Sequence, residues 1–435
     1  MTFIQVPVLV LLIALLFYYI PKIPEPKLLP IVEGFFQPEF MEVALVFRRN
    51  MESGKEQGAS FAVYHDGDIV VDMWAGYADR DSMRRWRNET TTLAFGCTKG
   101  VMAFLVAIMV ERGLLNYSKP VADYWQDFGV NGKGEITLEM LLNHQAGLPY
   151  LKEAISLRDL ESDIQHVDKS IFSQSPVWKP GTLHGYHEWT FGIILDRLIQ
   201  KQDPKHRTVS EIFQEEIAKP LDVEFDMHLK SGDVHKTARI YQPPVLQSIL
   251  QAGTNLPYLK MYIKSFFSSD SLVSKVWNSV KESVLPVLVF NDPEIREISL
   301  SSYSGTGTSR GLAKLFSVLA NSGLYEGNRI LRRETTDKMK ELANGDTCFI
   351  TGLPKKFSLG MQVFTNPYGE TTFCHAGYGG QMVVADPSNK LSIAYLTSYL
   401  SIYRNGDDPR FLDLQRAVYS NLQKYIERRK KMTEV

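Results

Sequence analysis

The chain has 435 residues, of which 44% are hydrophobic, and its formal net charge is −1. A chain of this length can bury a large core and has room for two or three domains, and its balanced charge lacks the electrostatic footprint of a nucleic-acid-binding protein. The three cysteines, Cys97, Cys348 and Cys374, form neither a disulfide framework nor a metal-site spacing. Because their number is odd, at least one thiol is free or pairs with another chain. We therefore predict no metal, no cofactor and no nucleic-acid partner.

The N-terminus differs from the rest of the chain. Residues 3–20, FIQVPVLVLLIALLFYYI, contain no charge, and about 18 residues at a rise of 1.5 Å span roughly 27 Å, close to the thickness of a bilayer core. No lysine or arginine precedes this run, so it matches a secretory signal peptide poorly, and the proline-rich residues 21–30 indicate an extended linker. We predict that residues 1–30 are a single-pass membrane anchor and its linker. A cleaved signal sequence, which would give a secreted protein, and a buried N-terminal helix are the alternatives.

Two features give opposite indications of the membrane orientation. Lys22 and Lys27 follow the apolar run, which favours a cytoplasmic position for the remainder of the chain. The glycosylation sequons at Asn88 and Asn116 favour a lumenal position instead. The sequence therefore leaves the compartment open.

From residue 31 onwards the pattern is that of a globular protein. Residues 59–79 are two apolar, β-branched and aromatic runs around an Asp-Gly pair, which predicts a β-hairpin. Residues 97–112 are apolar on nearly every face and are closed by Gly113, which predicts a buried helix. A short helix is expected within residues 136–149.

The middle and the end of the chain complete a mixed α/β (α+β) architecture. Residues 150–300 are mostly helical in pattern, strand patterns return between 357 and 398, and a C-terminal helix leads into a basic tail at 426–435. We expect the N- and C-terminal strands to form one antiparallel sheet, flanked by helices and interrupted by the helical insertion, in one domain over residues 31–425. The amphipathic, aromatic-rich residues 255–291 are an ordinary helical segment, a cover over a cleft or a membrane contact.

Lys99 is the unusual residue of the buried helix. Between Asn88 and Glu111 only Glu89 and Lys99 carry a charge at neutral pH. Burial lowers the pKa of a lysine and makes its neutral amine more accessible, so Lys99 is a candidate general base. The alternative is a lysine whose stem is buried and whose ammonium group reaches solvent at the end of the helix.

The residues around Lys99 resemble a known family of enzymes. The stretch FGCTKGVMAF resembles the Ser-x-x-Lys motif at the start of a buried helix in the serine β-lactamase and penicillin-binding-protein superfamily, with Gly96 in place of the serine. Further segments match in the family's order: the LLNHQAGLP turn at 141–149, the segment at 178–195 that carries Tyr186, the helix at 305–323 and the HAGYGG stretch at 375–380. The resemblance is closest to the class C and esterase-like branch, and it implies the DD-peptidase/β-lactamase-like fold.

The resemblance implies a role for each matching residue. In the family, the serine attacks a carbonyl while lysine and tyrosine move its proton, so Lys99 and Tyr186 would be the proton-transfer pair. A cation beside the phenol would lower the pKa of Tyr186. His375 would stand on the strand edge that faces the bound substrate. The backbone N–H groups of Gly96 and Tyr378 would form the oxyanion hole, which survives the loss of a side chain.

Gly96 is the main departure from the family's pattern. It has no hydroxyl and cannot form an acyl-enzyme, and loss of such a nucleophile lowers the rate by several orders of magnitude. Cys97 is rotated from Gly96 by about 100° around the helix and is expected to point into the core. A carboxylate at Glu188 stands where class C members have an amide. His144 and His184 lie in matching segments, and we expect them to be structural.

Three functions are compatible with these residues. The first is a membrane-anchored pseudoenzyme that binds a small molecule or peptide with a carbonyl or carboxylate group, without turnover. The second is a weak hydrolase of esters, amides or small peptides, using Cys97 or a water activated by Lys99 and Tyr186. The third is a membrane-associated structural protein that assembles into oligomers.

Overall fold

The computed structural model describes residues 29–433 except 285–287, 343–344 and 346. The apolar run at 3–20, which we predicted as a membrane anchor, lies outside the described residues. Among the residues described, no helix combines the length and the apolar character needed to cross a bilayer.

A nine-stranded antiparallel sheet is built from the two ends of the chain. The strands of this sheet and of two smaller sheets, in chain order, are β1 (Val32–Phe36), β2 (Gly58–His65), β3 (Asp68–Asp79), β4 (Arg84–Arg85), β5 (Thr92–Leu93), β6 (Phe225–Asp226), β7 (Thr306–Gly307), β8 (Leu324–Tyr325), β9 (Asn328–Arg329), β10 (Phe357–Ser358), β11 (Met361–Thr365), β12 (Thr371–Ala376), β13 (Met382–Asp386) and β14 (Leu391–Thr397). The order across the large sheet is β1–β3–β2–β14–β13–β12–β11–β10, with β4 beside β3. The N- and C-terminal strands therefore meet where β2 pairs with β14, which confirms the predicted sheet.

Local sequence explains the first hairpin of this sheet. Strands β2 and β3 pair in antiparallel register on either side of Asp66 and Gly67. Both turn residues have positive φ angles, 53° and 87°. An Asp-Gly pair tolerates this backbone conformation, which matches the right-handed twist of the flanking strands.

The α-helices surround the sheet and fill the middle of the chain. In chain order they are α1 (Met41–Glu52), α2 (Cys97–Glu111), α3 (Leu138–Leu142), α4 (Asp159–Ser162), α5 (Ile164–Ser173), α6 (Thr190–Gln202), α7 (Val209–Phe213), α8 (Val245–Gly253), α9 (Leu256–Phe267), α10 (Leu272–Trp277), α11 (Pro293–Glu297), α12 (Ser309–Ala320), α13 (Arg333–Lys338) and α14 (Pro409–Thr433). Helix α2 is buried from Cys97 to Met109, as its apolar sequence predicts. It ends before Gly113, whose φ of 75° suits a helix C-terminus.

The sheet separates two hydrophobic cores. Strand side chains alternate between them, so that Val383 and Ala385 pack in the core that contains α2 and α12, whereas Met382 and Val384 pack in the core that contains α1 and α14. Helix α2 therefore lies between the sheet and the helical insertion. This position places its N-terminus, with Gly96 and Lys99, at the junction of both parts.

The basic C-terminal segment is helical rather than a separate tail. Helix α14 continues to Thr433 and therefore includes most of residues 426–435, which we predicted as a basic tail. Arg428 pairs with Glu39 at 2.6 Å, and Arg429 pairs with Asp68 at 2.6 Å. These ion pairs give the basic residues partners on the domain.

Candidate active site

The chain turns sharply into helix α2 at Gly96. Gly96 is the N-cap residue, and the preceding Phe95 has a positive φ of 47°. A β-carbon at Gly96 would lie 3.1 Å from the Tyr186 hydroxyl oxygen and 2.7 Å from the carbonyl oxygen of Ala376. Gly96 therefore faces both the predicted tyrosine and the end of β12, and the close approach of the β12 backbone leaves little room for a side chain.

Lys99 lies one helical turn beyond Gly96 and is completely buried. Its Nζ donates a hydrogen bond to the carbonyl oxygen of Ser302 at 2.9 Å and lies 4.8 Å from the ring centroid of Tyr186. Burial lowers the pKa of Lys99 to about 7, while the nearby Glu188 carboxylate acts in the opposite direction. The ammonium group does not reach solvent, so the alternative of an exposed lysine head is wrong. Lys99 therefore loses its proton at a lower pH than an exposed lysine does.

Tyr186 is a protonated phenol in this environment. Burial, followed by the charge of Glu188, raises the pKa of Tyr186 well above its usual value. The expectation that a neighbouring cation leaves this pKa below its usual value is wrong: the charge of Arg404 does act in that direction, but burial outweighs it. Lys99 and Lys355 lie against the face of the ring, at 4.8 Å and 4.4 Å from its centroid. Tyr186 is therefore suited to donate a proton or a hydrogen bond rather than to remove a proton.

His375, which we predicted to stand on the strand edge that faces the bound substrate, lies on an interior strand of the sheet. Strand β12 pairs with β11 on one side and β13 on the other. The imidazole is buried, its Nδ1 is 2.8 Å from the carbonyl oxygen of Ala376, and its ring centroid is 6.3 Å from that of Tyr186. Burial, followed by the charge of Lys99, lowers the pKa of His375 well below its usual value. His375 therefore packs as a neutral ring behind the site and does not line its cavity.

A small cavity lies where Gly96, Tyr186 and the end of β12 meet. Its volume of about 20 Å³ is enough for one water molecule. Its lining comes from widely separated parts of the chain: Gly96, Tyr186, Glu188, Tyr303, Thr351, Lys355, Ala376, Tyr378 and Arg404. The structure thus brings the predicted Gly96, Tyr186 and Tyr378 together and places Lys99 directly behind Tyr186.

Two cations in this lining were not predicted from the sequence. Lys355 is buried, and burial lowers its pKa to about 8. Arg404 stacks over the ring of Tyr378 at 4.7 Å from its centroid. Nothing local distinguishes Lys355 from the adjacent Lys356, which is only half-buried, so the sequence offered no signal for either cation.

Glu188 is the carboxylate of the cavity and is held by two partners. The Tyr303 hydroxyl donates a hydrogen bond to it at 3.0 Å, and an Arg404 nitrogen lies 3.5 Å from its second oxygen. Burial opposes the charged guanidinium, but Glu188 raises the pKa of Arg404 above its usual value. Among the lining residues the two cations, Lys355 and Arg404, outnumber the one carboxylate, Glu188.

The predicted oxyanion donors have no competing acceptor. Gly96 and Tyr378 both line the cavity. Among the hydrogen bonds of the described residues, neither backbone N–H donates to a protein acceptor. Since buried backbone N–H groups are rarely left unpaired, these two donors suit a ligand oxygen or an ordered water.

The other nucleophilic side chains of this turn point elsewhere. The Cys97 thiol donates to the carbonyl oxygen of His375 at 3.1 Å, and burial raises its pKa. The Thr98 hydroxyl donates to the carbonyl oxygen of Phe95 at 2.6 Å. Neither side chain lines the cavity, which confirms that Cys97 points into the core.

Two buried histidines hold the Tyr186 segment against the turn at 141–149. His144 Nδ1 accepts a hydrogen bond from the His187 backbone N–H at 3.1 Å, and its ring lies 4.8 Å from that of Tyr186. His187 Nε2 accepts from the Leu148 N–H at 3.0 Å, so its Nδ1 carries the proton and donates to the Gly185 carbonyl. His144 is therefore structural as expected, and it positions Tyr186.

Comparisons with known proteins agree with this geometry. A model of the family described as Beta-lactamase matches residues 43–416. The esterase/beta-lactamase LipL of Mycobacterium tuberculosis is 30% identical over 379 residues, which cover 85% of this chain and 83% of LipL. The crystal structure of a family VIII carboxylesterase matches with a TM-score of 0.78 and 28% identity, over 90% of this chain and 100% of that chain. A penicillin-binding protein homologue from Caulobacter crescentus matches with a TM-score of 0.75 and 25% identity, over 90% and 100% of the two chains.

Proposed function

Since the chain belongs to the beta-lactamase family of serine hydrolases, we propose that it binds a carbonyl- or carboxylate-bearing ligand without forming an acyl-enzyme. One observation carries this proposal. Gly96 occupies the position at the start of α2 that faces the Tyr186 hydroxyl, and it supplies no nucleophile there. The groups that would activate a serine, Lys99 and Tyr186, lie around a position without a hydroxyl.

Other residues are poorly placed to replace the missing nucleophile. Cys97 and Thr98 donate to backbone carbonyl oxygens outside the cavity. Thr351 lines the cavity, but its hydroxyl accepts a hydrogen bond from the Leu353 N–H at 3.3 Å, and it has no base of its own among the lining residues. A nucleophile needs both access and an adjacent base, and none of these hydroxyls or thiols has both.

The cavity keeps the features that recognise an acyl group. The N–H groups of Gly96 and Tyr378 are available to a carbonyl oxygen, and Lys355 and Arg404 supply positive charge beside them. Because the cavity has room for only about one water molecule, a larger ligand must move the lining loops outward. The ligand is a small molecule or a peptide that presents a carbonyl or carboxylate group.

Absence of turnover is the first test. The full chain is incubated with p-nitrophenyl acetate, with a chromogenic β-lactam and with a fluorophosphonate probe. We expect no burst of product and no covalent adduct, because the cavity contains no activated nucleophile. Turnover or labelling that disappears in Lys99→Ala would overturn the proposal.

Ligand binding is the second test, and the chain offers a matched control. N-acetylglycine carries both an amide carbonyl and a carboxylate, and its affinity is measured by titration calorimetry. Lys355→Met should weaken binding by about tenfold or more, because it removes a charge-assisted hydrogen bond. Lys356→Met, which removes the same charge outside the cavity, should change the affinity less than twofold. Equal effects of the two substitutions would place the ligand elsewhere.

Slow hydrolysis by an activated water is the second candidate function. It is favoured by a cavity with room for one water beside Tyr186, and by Lys99, whose pKa burial lowers to about 7. This mechanism forms no acyl-enzyme, so it gives steady turnover of activated esters without a burst or a fluorophosphonate adduct. Turnover that Cys97→Ser removes would instead assign the reaction to the thiol.

A further inference from the structure

An apolar groove lies beside the candidate active site. The helical hairpin of α8 and α9 forms one wall, and the segment that follows β14 forms the other. The groove has a volume of about 590 Å³, within the range of small-molecule binding sites. Its apolar lining includes Ile249, Ala252, Leu259, Ile263, Leu400 and Ile402.

One residue lines both the groove and the small cavity of the candidate active site. Tyr378 lines each of them, and Arg404 stacks on the Tyr378 ring. Tyr262 closes the groove at this end, where its hydroxyl donates to the carbonyl oxygen of Ile402 at 3.4 Å. The groove and the cavity therefore share Tyr378 as a lining residue and lie next to each other.

The hairpin also exposes apolar side chains, of which Phe267 lines the groove while Leu246 and Leu250 lie outside its lining. Phe267 is 87% exposed, Leu246 64% and Leu250 63%. The hairpin has two charged residues, Lys260 and Lys264, and residues 242–269 contain no acidic side chain. An exposed apolar surface of this kind marks a binding site.

We propose that this groove binds the hydrocarbon chain of a long-chain fatty acyl ligand, whose carboxylate or carbonyl end points towards Tyr378 and Arg404. A peptide is a poor occupant, because the apolar lining would leave its backbone N–H and C=O groups unpaired. A methylene chain has no such groups, and each buried methylene raises the affinity about fourfold. The proposal rests on the proposed ligand-binding function for the polar end of the ligand only.

Photo-crosslinking on the full chain tests this proposal. A palmitic acid analogue that carries a diazirine is irradiated with the protein, and the labelled peptides are mapped by mass spectrometry. We expect adducts in residues 245–267 and 398–402. Unlabelled palmitate should suppress labelling at a concentration at least about 100-fold lower than butyrate does, because its longer chain fills the groove. If palmitate and butyrate suppress labelling at equal concentrations, this result on the wild-type chain alone would overturn the proposal.

Two substitutions distinguish the inside of the groove from its outer surface. Ser248 is half-buried and lines the groove, so Ser248→Trp fills it and should lower labelling on the order of tenfold by excluding about two methylene groups. Leu250 is exposed and lies outside the lining, so Leu250→Ser should leave labelling within twofold.

The opposite pattern, in which Leu250→Ser lowers labelling and Ser248→Trp does not, indicates contact with a bilayer surface and overturns the proposal. Labelling confined to residues 3–20 also overturns it. The proposed function fails separately: if the wild-type chain forms an acyl-enzyme, the fluorophosphonate assay detects it, and the crosslinking result still stands.

Discussion

Replacing Gly96 with serine, with alanine as the matched control, tests whether the site lacks only its nucleophile. A β-carbon at this position lies 2.7 Å from the Ala376 carbonyl oxygen, so both variants must move the end of β12. We expect this overpacking to destabilise each of them by about 1–3 kcal/mol. Loss of a catalytic serine lowers the rate by about 10⁶-fold. If the restored serine is misplaced by up to 1 Å, its rate is about 10²-fold lower than that of a correctly placed serine. Gly96→Ser should therefore react about 10⁴-fold faster than Gly96→Ala.

The assay is the rate of fluorophosphonate labelling, followed at several pH values. Labelling of Gly96→Ser should rise as the pH rises through about 7, because the base Lys99 must lose its proton first. The double variant Gly96→Ser, Lys99→Met should be labelled as slowly as Gly96→Ala. If Gly96→Ser and Gly96→Ala are labelled equally slowly while both are folded, the activating groups are not in working positions, and the assignment of Gly96 to the nucleophile position is refuted.

Three further predictions concern stability and thiol reactivity. Folded Lys99 is neutral above about pH 7, while the unfolded chain keeps this proton to about pH 10.4, so the unfolded state binds more protons in that window and stability rises with pH. Between pH 7 and 10, the free energy of unfolding of the wild type, measured in urea, should therefore rise relative to that of Lys99→Met by up to roughly 4–5 kcal/mol. A difference that does not change with pH would contradict the burial of this amine. Arg410 pairs with Asp408 at 2.8 Å inside the protein, so Arg410→Ala should cost about 3–5 kcal/mol in the same assay, whereas Arg48→Ala, in an exposed pair, should cost less than about 1 kcal/mol. Cys97 should resist iodoacetamide at pH 8 until the chain unfolds, as seen by mass spectrometry, because burial raises its pKa; modification of the folded chain would show an accessible thiol.

Local patterns in the sequence predicted several elements of the fold. Apolar, β-branched and aromatic runs around an Asp-Gly turn predicted β2 and β3, and an all-apolar run closed by glycine predicted α2. Each of these patterns depends only on neighbouring residues, because the periodicities of strands and helices follow from local backbone geometry. The ion pairs of Arg428 and Arg429 could not be predicted from local patterns, because their partners lie far away in the chain.

Some features of the candidate site follow from the sequence, and others depend on the tertiary structure. The sequence alone determined that Gly96 has no nucleophile, that Lys99 lies one turn away in a buried helix, and that Tyr186 belongs to a matching segment. Only the tertiary structure decided that Lys355 and Arg404 join them, because both cations come from loops far away in the chain. It also decided the protonation of Tyr186, since burial and the charge of Glu188 outweigh cations that lie against the ring face. A pKa and a cavity are properties of everything that surrounds a group, and those surroundings exist only when the chain has folded.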